Sequence, residues 1–115
     1  MYEPLHSLFR GDEAKVRNAM KVFQRITKED LERLIRARRD EDWTSLSRLA
    51  HKLKSGCMQI GQITTGDALS ALEGTLSHTP GSDTLEHAFA VACDEIHRVL
   101  DHVGEYLSGK GAKLE

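Results

Sequence analysis

Apolar residues recur along this chain at intervals of three and four, the spacing that gathers them on one side of a helix. Val16, Met20, Phe23, Ile26, Leu31, Leu34 and Ile35 make a first long stripe, and Leu46, Leu49, Ala50, Leu53, Cys57 and Ile60 a second. Ile63, Leu69, Leu72 and Leu76 make a third. The fourth runs through Leu85, Ala88, Phe89, Ala92, Ile96, Val99, Leu100, Val103 and Leu107. Before them, Pro4 opens a short helix to Phe9, with Leu5, Leu8 and Phe9 as its apolar face. No run of useful length alternates with period two, so no strand is predicted.

The breaks between stripes are marked by local chemistry. Gly11-Asp12 reads as a stop followed by an N-cap, and Asp40-Glu41-Asp42 as a short acidic loop that caps the next helix. Gly61 stands where a helix ending near Ile60 would place its C′ residue. Thr64 or Thr65 is the expected cap of the following helix, His78-Thr79-Pro80-Gly81 a turn, and Ser82 the last cap. The two long helices should start near Asp12 and Ser82. Connections this short make consecutive helices antiparallel neighbours. The fold predicted is therefore all-α: an antiparallel up-down four-helix bundle over residues 1–108, with the short N-terminal helix as a lid. Residues 109–115 are expected to be a flexible tail. Leu114-Glu115 reads as a cloning scar and Met1 as an added start, so the chain suits a module cut from a longer protein.

Charge adds detail without changing that picture. Glu29 with Arg33, and Glu32 with Arg36, are oriented as favourable i,i+4 pairs. Arg36, Arg38 and Arg39 crowd a helix C-terminus, where the macrodipole favours cations. The chain holds 16 basic and 18 acidic residues, a net charge of -2, which argues against a general nucleic-acid binder. With 115 residues it has room for one domain but not for a kinase with a nucleotide site. No apolar run approaches the roughly 20 residues of a membrane span, and the N-terminus lacks a signal-peptide pattern. Cys57 and Cys93 show no metal-ligand spacing and sit in apolar helical patterns, which predicts free, buried thiols. His6, His78, His87, His97 and His102 form no convincing ligand pair and are read as surface or helix-end residues. No metal site and no cofactor are expected in the chain itself.

His51 is the exception. A helix advances roughly 100° per residue, which puts His51 roughly 140° from the centre of its own apolar stripe and facing water. Thr44, Arg48, Ser55 and Gln62 fall on the same side. Lys54 lies one turn on, within reach of a phosphate on the imidazole, and Lys52 and Arg48 flank it. Two small residues, Ser55 and Gly56, leave clearance above. Imidazole titrates near pH 6.5, so a large share is neutral and nucleophilic at pH 7. Such a residue is suited to accept a phosphoryl group reversibly, a transfer that needs positioning and charge stabilisation more than covalent help.

The stretch His51-Lys52-Leu53-Lys54-Ser55, with Gly61 ten residues after the histidine, resembles the signature of the histidine-phosphotransfer (HPt) domain of multistep phosphorelays. Asp42-Trp43 and Leu72-Glu73 also stand where that family places such residues, and the likeness extends over about residues 2–108. It departs at Ser55, where the family usually has Gly. The resemblance implies a phosphocarrier without ATP binding. His51 would be the phosphoacceptor, Lys54 would stabilise the phosphate charge, and response-regulator receiver domains would be the partners, bringing their own Mg²⁺. It implies a cytoplasmic module, free-standing or at the C-terminus of a hybrid sensor kinase; a monomer is expected because one chain can close the bundle. The expected docking surface is Thr44, Ser47, Arg48, Lys52, Ser55, Gly56, Met58, Gln59 and Gln62. Two other readings stay open. One is an HPt-like bundle that binds partners without phosphotransfer, toward which Ser55 points. The other is the dimerising phosphoacceptor domain of a kinase, which usually has an acid where Lys52 stands and needs two chains for four helices.

Overall fold

The computed structural model describes residues 3–78 and 81–109, and those residues are helical throughout apart from the connections. The elements are α1 (Glu3–Leu8), α2 (Glu13–Arg39), α3 (Trp43–Gln59), α4 (Ile63–His78) and α5 (Asp83–Leu107). Contacts between neighbours show that each runs opposite to the last. Asp30 of α2 meets Lys52 of α3, and Phe23 approaches Gly56. His51 of α3 meets Glu73 of α4, while Met58 lies against Gly66. Thr65 near the start of α4 meets Glu95 of α5. Arg17 of α2 donates to the carbonyls of Tyr106 and Leu107, and Arg38 pairs with Glu86, so α5 closes the ring against α2. The result is the antiparallel four-helix bundle read from the sequence, 44 Å long and 21 Å across.

The caps are those the sequence marks, with one exception. Asp12, Asp42 and Ser82 each accept the backbone N–H three residues on, satisfying a donor that the first turn leaves free. At the end of α3 the N–H of Gln62 donates to Cys57 and that of Gly61 to Met58, with Gly61 at φ 81°. This is the double closure that a left-handed C′ residue permits. α2 ends in the same way on Glu41, at φ 54°. The exception is α4. It begins at Ile63, with the Gly66 N–H on the Gln62 carbonyl, so Thr64 and Thr65 lie inside its first turn rather than capping it. Thr65 is instead fully buried and hydrogen-bonded to Glu95 and Arg98 of α5.

The core follows the four stripes and divides into two clusters. The larger joins Leu34, Leu46, Leu53, Leu69, Leu72, Leu85 and Ile96 with their neighbours. The smaller joins Val16, Met20, Ile60, Val99, Val103 and Tyr106, and Leu5 and Phe9 pack on it, so α1 does lid one end. Three residues assigned to stripes are outside. Leu8 points away from the bundle, Ile35 sits at the margin of its stripe, and Ile63 occupies the exposed first position of α4. In their place α2 buries Thr27 and Asp30, polar residues that periodicity alone discards. Arg33 turns to Asp30 and Glu29 to Arg25, so the expected Glu29–Arg33 pair gives way to partners on either side. The turn residues Thr79 and Pro80 and the tail beyond Gly109 lie outside the described residues.

Cys57 is buried, Cys93 is half-buried, and both are free. Burial pushes each thiol up to about 11, the state of unreactive packing groups rather than nucleophiles.

Two stability tests follow. A Cβ at Gly56 would meet only the Phe23 ring edge, at 3.7 Å, an ordinary contact. Gly56→Ala should therefore raise the unfolding free energy by up to about 1 kcal/mol, the helix-interior difference between the two residues, measured by urea denaturation. The Asp42 carboxyl is held below its ordinary 3.8 chiefly by its hydrogen bonds to Ser45. A depressed acid stabilises the fold above its unfolded pKa and ceases to do so as the pH falls through its folded value. Asp42→Ala should lower Tm at pH 7, and the gap to the parent should shrink once the pH drops below 3.8. A gap that is constant from pH 7 to pH 2.5 would show that the cap works without its charge.

Candidate functional site

α3 is anchored at both ends by its caps and along one side by Leu46, Ala50, Leu53 and Cys57, all buried. Its opposite side cannot then turn inward. His51 stands in the middle of that side with 65% of its side chain exposed. The α3–α4 hairpin brings Glu73 level with it, because the tight closure at Gly61 fixes where each residue of α4 falls.

Glu73 is the centre of the arrangement. Its Oε2 lies 3.3 Å from Nδ1 of His51, and its Oε1 lies 2.9 Å from Nζ of Lys54. A carboxylate only accepts, so the imidazole nitrogen facing it must be the one bearing hydrogen. Nδ1–H then leaves Nε2 with its lone pair, pointing away from the bundle. Glu73 and Lys54 are mostly sheltered, with 22% and 27% of their side chains exposed. The Lys54 stem passes over Gly66, where a Cβ would strike Sδ of Met58 at 2.5 Å and lie 4.0 Å from Cγ of Lys54. Gly66 is thus the bare spot on α4 that lets Met58 and Lys54 lie down.

The two lysines beside His51 go to opposite neighbours. Lys52 crosses to α2, where its Nζ is 2.9 Å from Asp30, a carboxylate only 1% exposed that also takes Arg33 at 3.0 Å. Lys52 therefore neutralises a buried acid and is not free to face the imidazole, which leaves Lys54 as the near cation.

The other residues of the expected docking surface fall on both flanks of α3. Thr44 and Arg48 are exposed and Ser47 half-buried; they line a cleft of about 470 Å³ toward α4 with Trp43, Leu76 and Ser77. Lys52, Ser55, Gly56 and Gln59 line a second, of about 350 Å³, toward α2, floored by Val22, Phe23 and Ile26. Met58 is exposed beyond them. Gln62 does not belong to this surface: it is buried in the α3–α4 connection. The helical angle of α3, continued past Gly61, points it outward, but the chain turns there.

Periodicity gave no reason to choose Glu73, Gly66 or Asp30. The family resemblance marks Glu73 without a role, and folding the sequence about Gly61 supplies one, since Glu73 lies twelve residues after that glycine and His51 ten before it. Gly66 and Asp30 carry no such signal. Among the described residues, none of His6, His78, His87, His97 and His102 has a lysine and a shared carboxylate beside it; His6 contacts Glu13 at 3.5 Å, and the other four are exposed. Among the described residues no group of three His, Cys, Asp or Glu is placed to hold a metal ion. Among them, too, no helix is long and apolar enough to cross a membrane.

No curated protein and no solved structure matches the chain. The family model described as Hpt domain matches residues 19–106, a span that takes in most of α2, all of α3 and α4, nearly all of α5, and both His51 and Glu73. With the bundle, the exposed histidine and most of the sequence in agreement, the chain belongs to the Hpt domain family, whose members are phosphotransfer modules.

Proposed function

We propose that this protein is a histidine phosphocarrier of a two-component phosphorelay. His51 takes a phosphoryl group from the aspartyl phosphate of one receiver domain and gives it to the aspartate of another. The observation that carries this reading is the Glu73 carboxylate shared between Nδ1 of His51 and Nζ of Lys54. Nε2 attacks phosphorus, the N–P bond forms, the P–O bond of the mixed anhydride breaks, and the donor carboxylate leaves with the electron pair. Nδ1 keeps its proton, and the positive charge that develops on the ring faces Glu73. Lys54 would turn from Glu73 to the phosphoryl oxygens, exchanging one anionic partner for another. In the reverse direction the same groups release the phosphoryl to a second carboxylate.

On this reading the chain contributes no nucleotide site, and the divalent cation belongs to the receiver. One chain supplies all four helices of the core, which favours a monomer over a dimerising phosphoacceptor domain. A cytoplasmic location, free-standing or within a hybrid sensor kinase, is part of the same proposal. The receiver covers α3 from Thr44 to Gln59 and reaches the apolar groove against α2, a modest contact suited to a transient exchange.

His51→Gln should fold as the parent does and accept nothing from a phosphorylated receiver. The parent should yield an acid-labile, base-stable phosphoprotein, and label retained in the variant would assign the site elsewhere. The roles of Lys54 and Glu73 separate in a second series. Lys54→Ala should slow transfer by about tenfold, the low end for a charge-assisted contact to phosphate. Glu73→Ala should slow it at least as much and shift the imidazole tautomer in long-range ¹H–¹⁵N spectra. Glu73→Gln, whose amide oxygen still accepts from Nδ1–H, should keep the tautomer. Equal tautomer populations in all three proteins would mean that Glu73 does not orient the ring.

A further inference from the structure

Four glycines lie inside helices among the described residues, and their surroundings differ. A Cβ at Gly56 or Gly104 would meet one side chain at 3.7 Å, and a Cβ at Gly74 would meet nothing within 4 Å. At Gly66 it would stand 2.5 Å from Sδ and 3.0 Å from Cγ of Met58, too close for any pair of heavy atoms out of bonding. The backbone does not ask for glycine there, because Gly66 is helical and not in the left-handed region. Helix propensity disfavours it. Core packing does not account for the clearance either, since Met58 is 45% exposed.

The thioether lies beside the Lys54 stem. Lys54 and Met58 are one turn apart on the α4 side of α3, and side chains on a helix lean toward its N-terminus. Met58 therefore leans over the turn that carries Lys54, and Lys54 leans toward the turn of His51. Because α4 runs the other way, Glu73 leans back toward Lys54. The ammonium and the carboxylate meet at 2.9 Å. Cγ of Lys54 lies 4.0 Å from the position of a Cβ at Gly66. Met58 thus walls one side of the stem, and Gly66 is the floor beneath both.

We propose that Gly66 and Met58 are positioning residues for Lys54. The thioether, seated on the bare turn of α4, confines the lysine stem so that its ammonium stays beside Glu73 and close to the imidazole. The inference rests on the carrier reading above. A lysine is long and flexible, and holding it in one place costs side-chain entropy. A stem already confined loses less freedom when its ammonium meets the phosphoryl oxygens. Neither Gly66 nor Met58 touches the reacting atoms.

The test uses the whole chain labelled by phosphoramidate, a small phosphodonor that needs no docking partner. Gly66→Ala drives the thioether off the bare turn and into the space of the stem. It should label about tenfold more slowly than the parent, the loss expected of Lys54→Ala. Adding Met58→Ala to Gly66→Ala should recover most of that loss, because the new methyl then faces the space the thioether has left. Gly74→Ala adds the same methyl in open space and should label as the parent does. In ¹H–¹⁵N spectra the Lys54 ammonium should be protected from exchange in the parent and the double variant, and unprotected in Gly66→Ala. The His51 tautomer, set by Glu73, should be the same in all of them. A rate for Gly66→Ala within twofold of the parent means that Met58 yields toward solvent, which overturns the proposal and leaves the carrier reading standing. So does a double variant as slow as Gly66→Ala, or a tautomer that changes with the rate. If Gly66→Ala does not fold, Met58→Ala alone decides: it should expose the Lys54 ammonium to exchange and slow labelling about threefold, and labelling at the parent rate overturns the proposal. If phosphoramidate leaves the parent unlabelled, the carrier reading fails and the positioning role with it.

Discussion

Everything at the candidate site depends on where α4 sits along α3. Glu73 holds the imidazole and the lysine only because the hairpin puts it level with both. That level is set by the tight closure at Gly61 and by the buried faces of the two helices, Leu53 and Cys57 on one and Leu69 and Leu72 on the other. A slip of one residue in α4 would rotate the carboxylate roughly 100° away. The core would lose its apolar register in the same step, so packing energy guards the geometry of the site.

α2 contributes to the same end from the other flank. Asp30 is an acid inside the bundle, where an unpaired charge would be costly, and two cations answer it. A buried charge left with no partner at all typically costs about 3–5 kcal/mol, and the second cation guards Asp30 against that. The bridge from Asp30 to Lys52 ties α3 to α2 next to His51. It also takes one of two neighbouring lysines out of reach of the imidazole. Lys52 and Lys54, which both follow His51 closely in sequence, are thus given different tasks by the carboxylates they find, Asp30 on α2 and Glu73 on α4.

The surface around His51 reflects this division. α3 forms a ridge between two clefts, one open toward α4 and one toward α2, with the imidazole exposed along it. The α2 side has an apolar floor and a small wall at Ser55 and Gly56. Ser55 is exposed, so the hydroxymethyl group that stands in place of the family's usual glycine adds little bulk beside the histidine. Further along the same seam arginines and aspartates mix, with Arg36 and Arg48 beside Asp40 and Asp42.

The sequence by itself determined the helices, their order and most of their caps, because each depends on neighbours within one or two turns. It determined that His51 faces water, since the angle of a residue on a helix follows from its number alone. It marked Lys54 as the cation one turn away. It could not settle which side chains meet between helices. Ile35 and Ile63 look like core residues by spacing and are exposed, because a stripe has margins and a helix has ends that only its neighbours define. Gln62 looks exposed by the angle of a helix that stops before reaching it. Thr27, Asp30 and Thr65 look like surface residues by type and are buried, because partners on other helices satisfy their polar atoms. Tertiary structure alone decided that Glu73 joins His51 to Lys54, that Asp30 claims Lys52, and that Gly66 leaves room for Met58 and Lys54. Those are distances between helices, and the interlocking of side chains sets them, which no periodicity within one helix encodes.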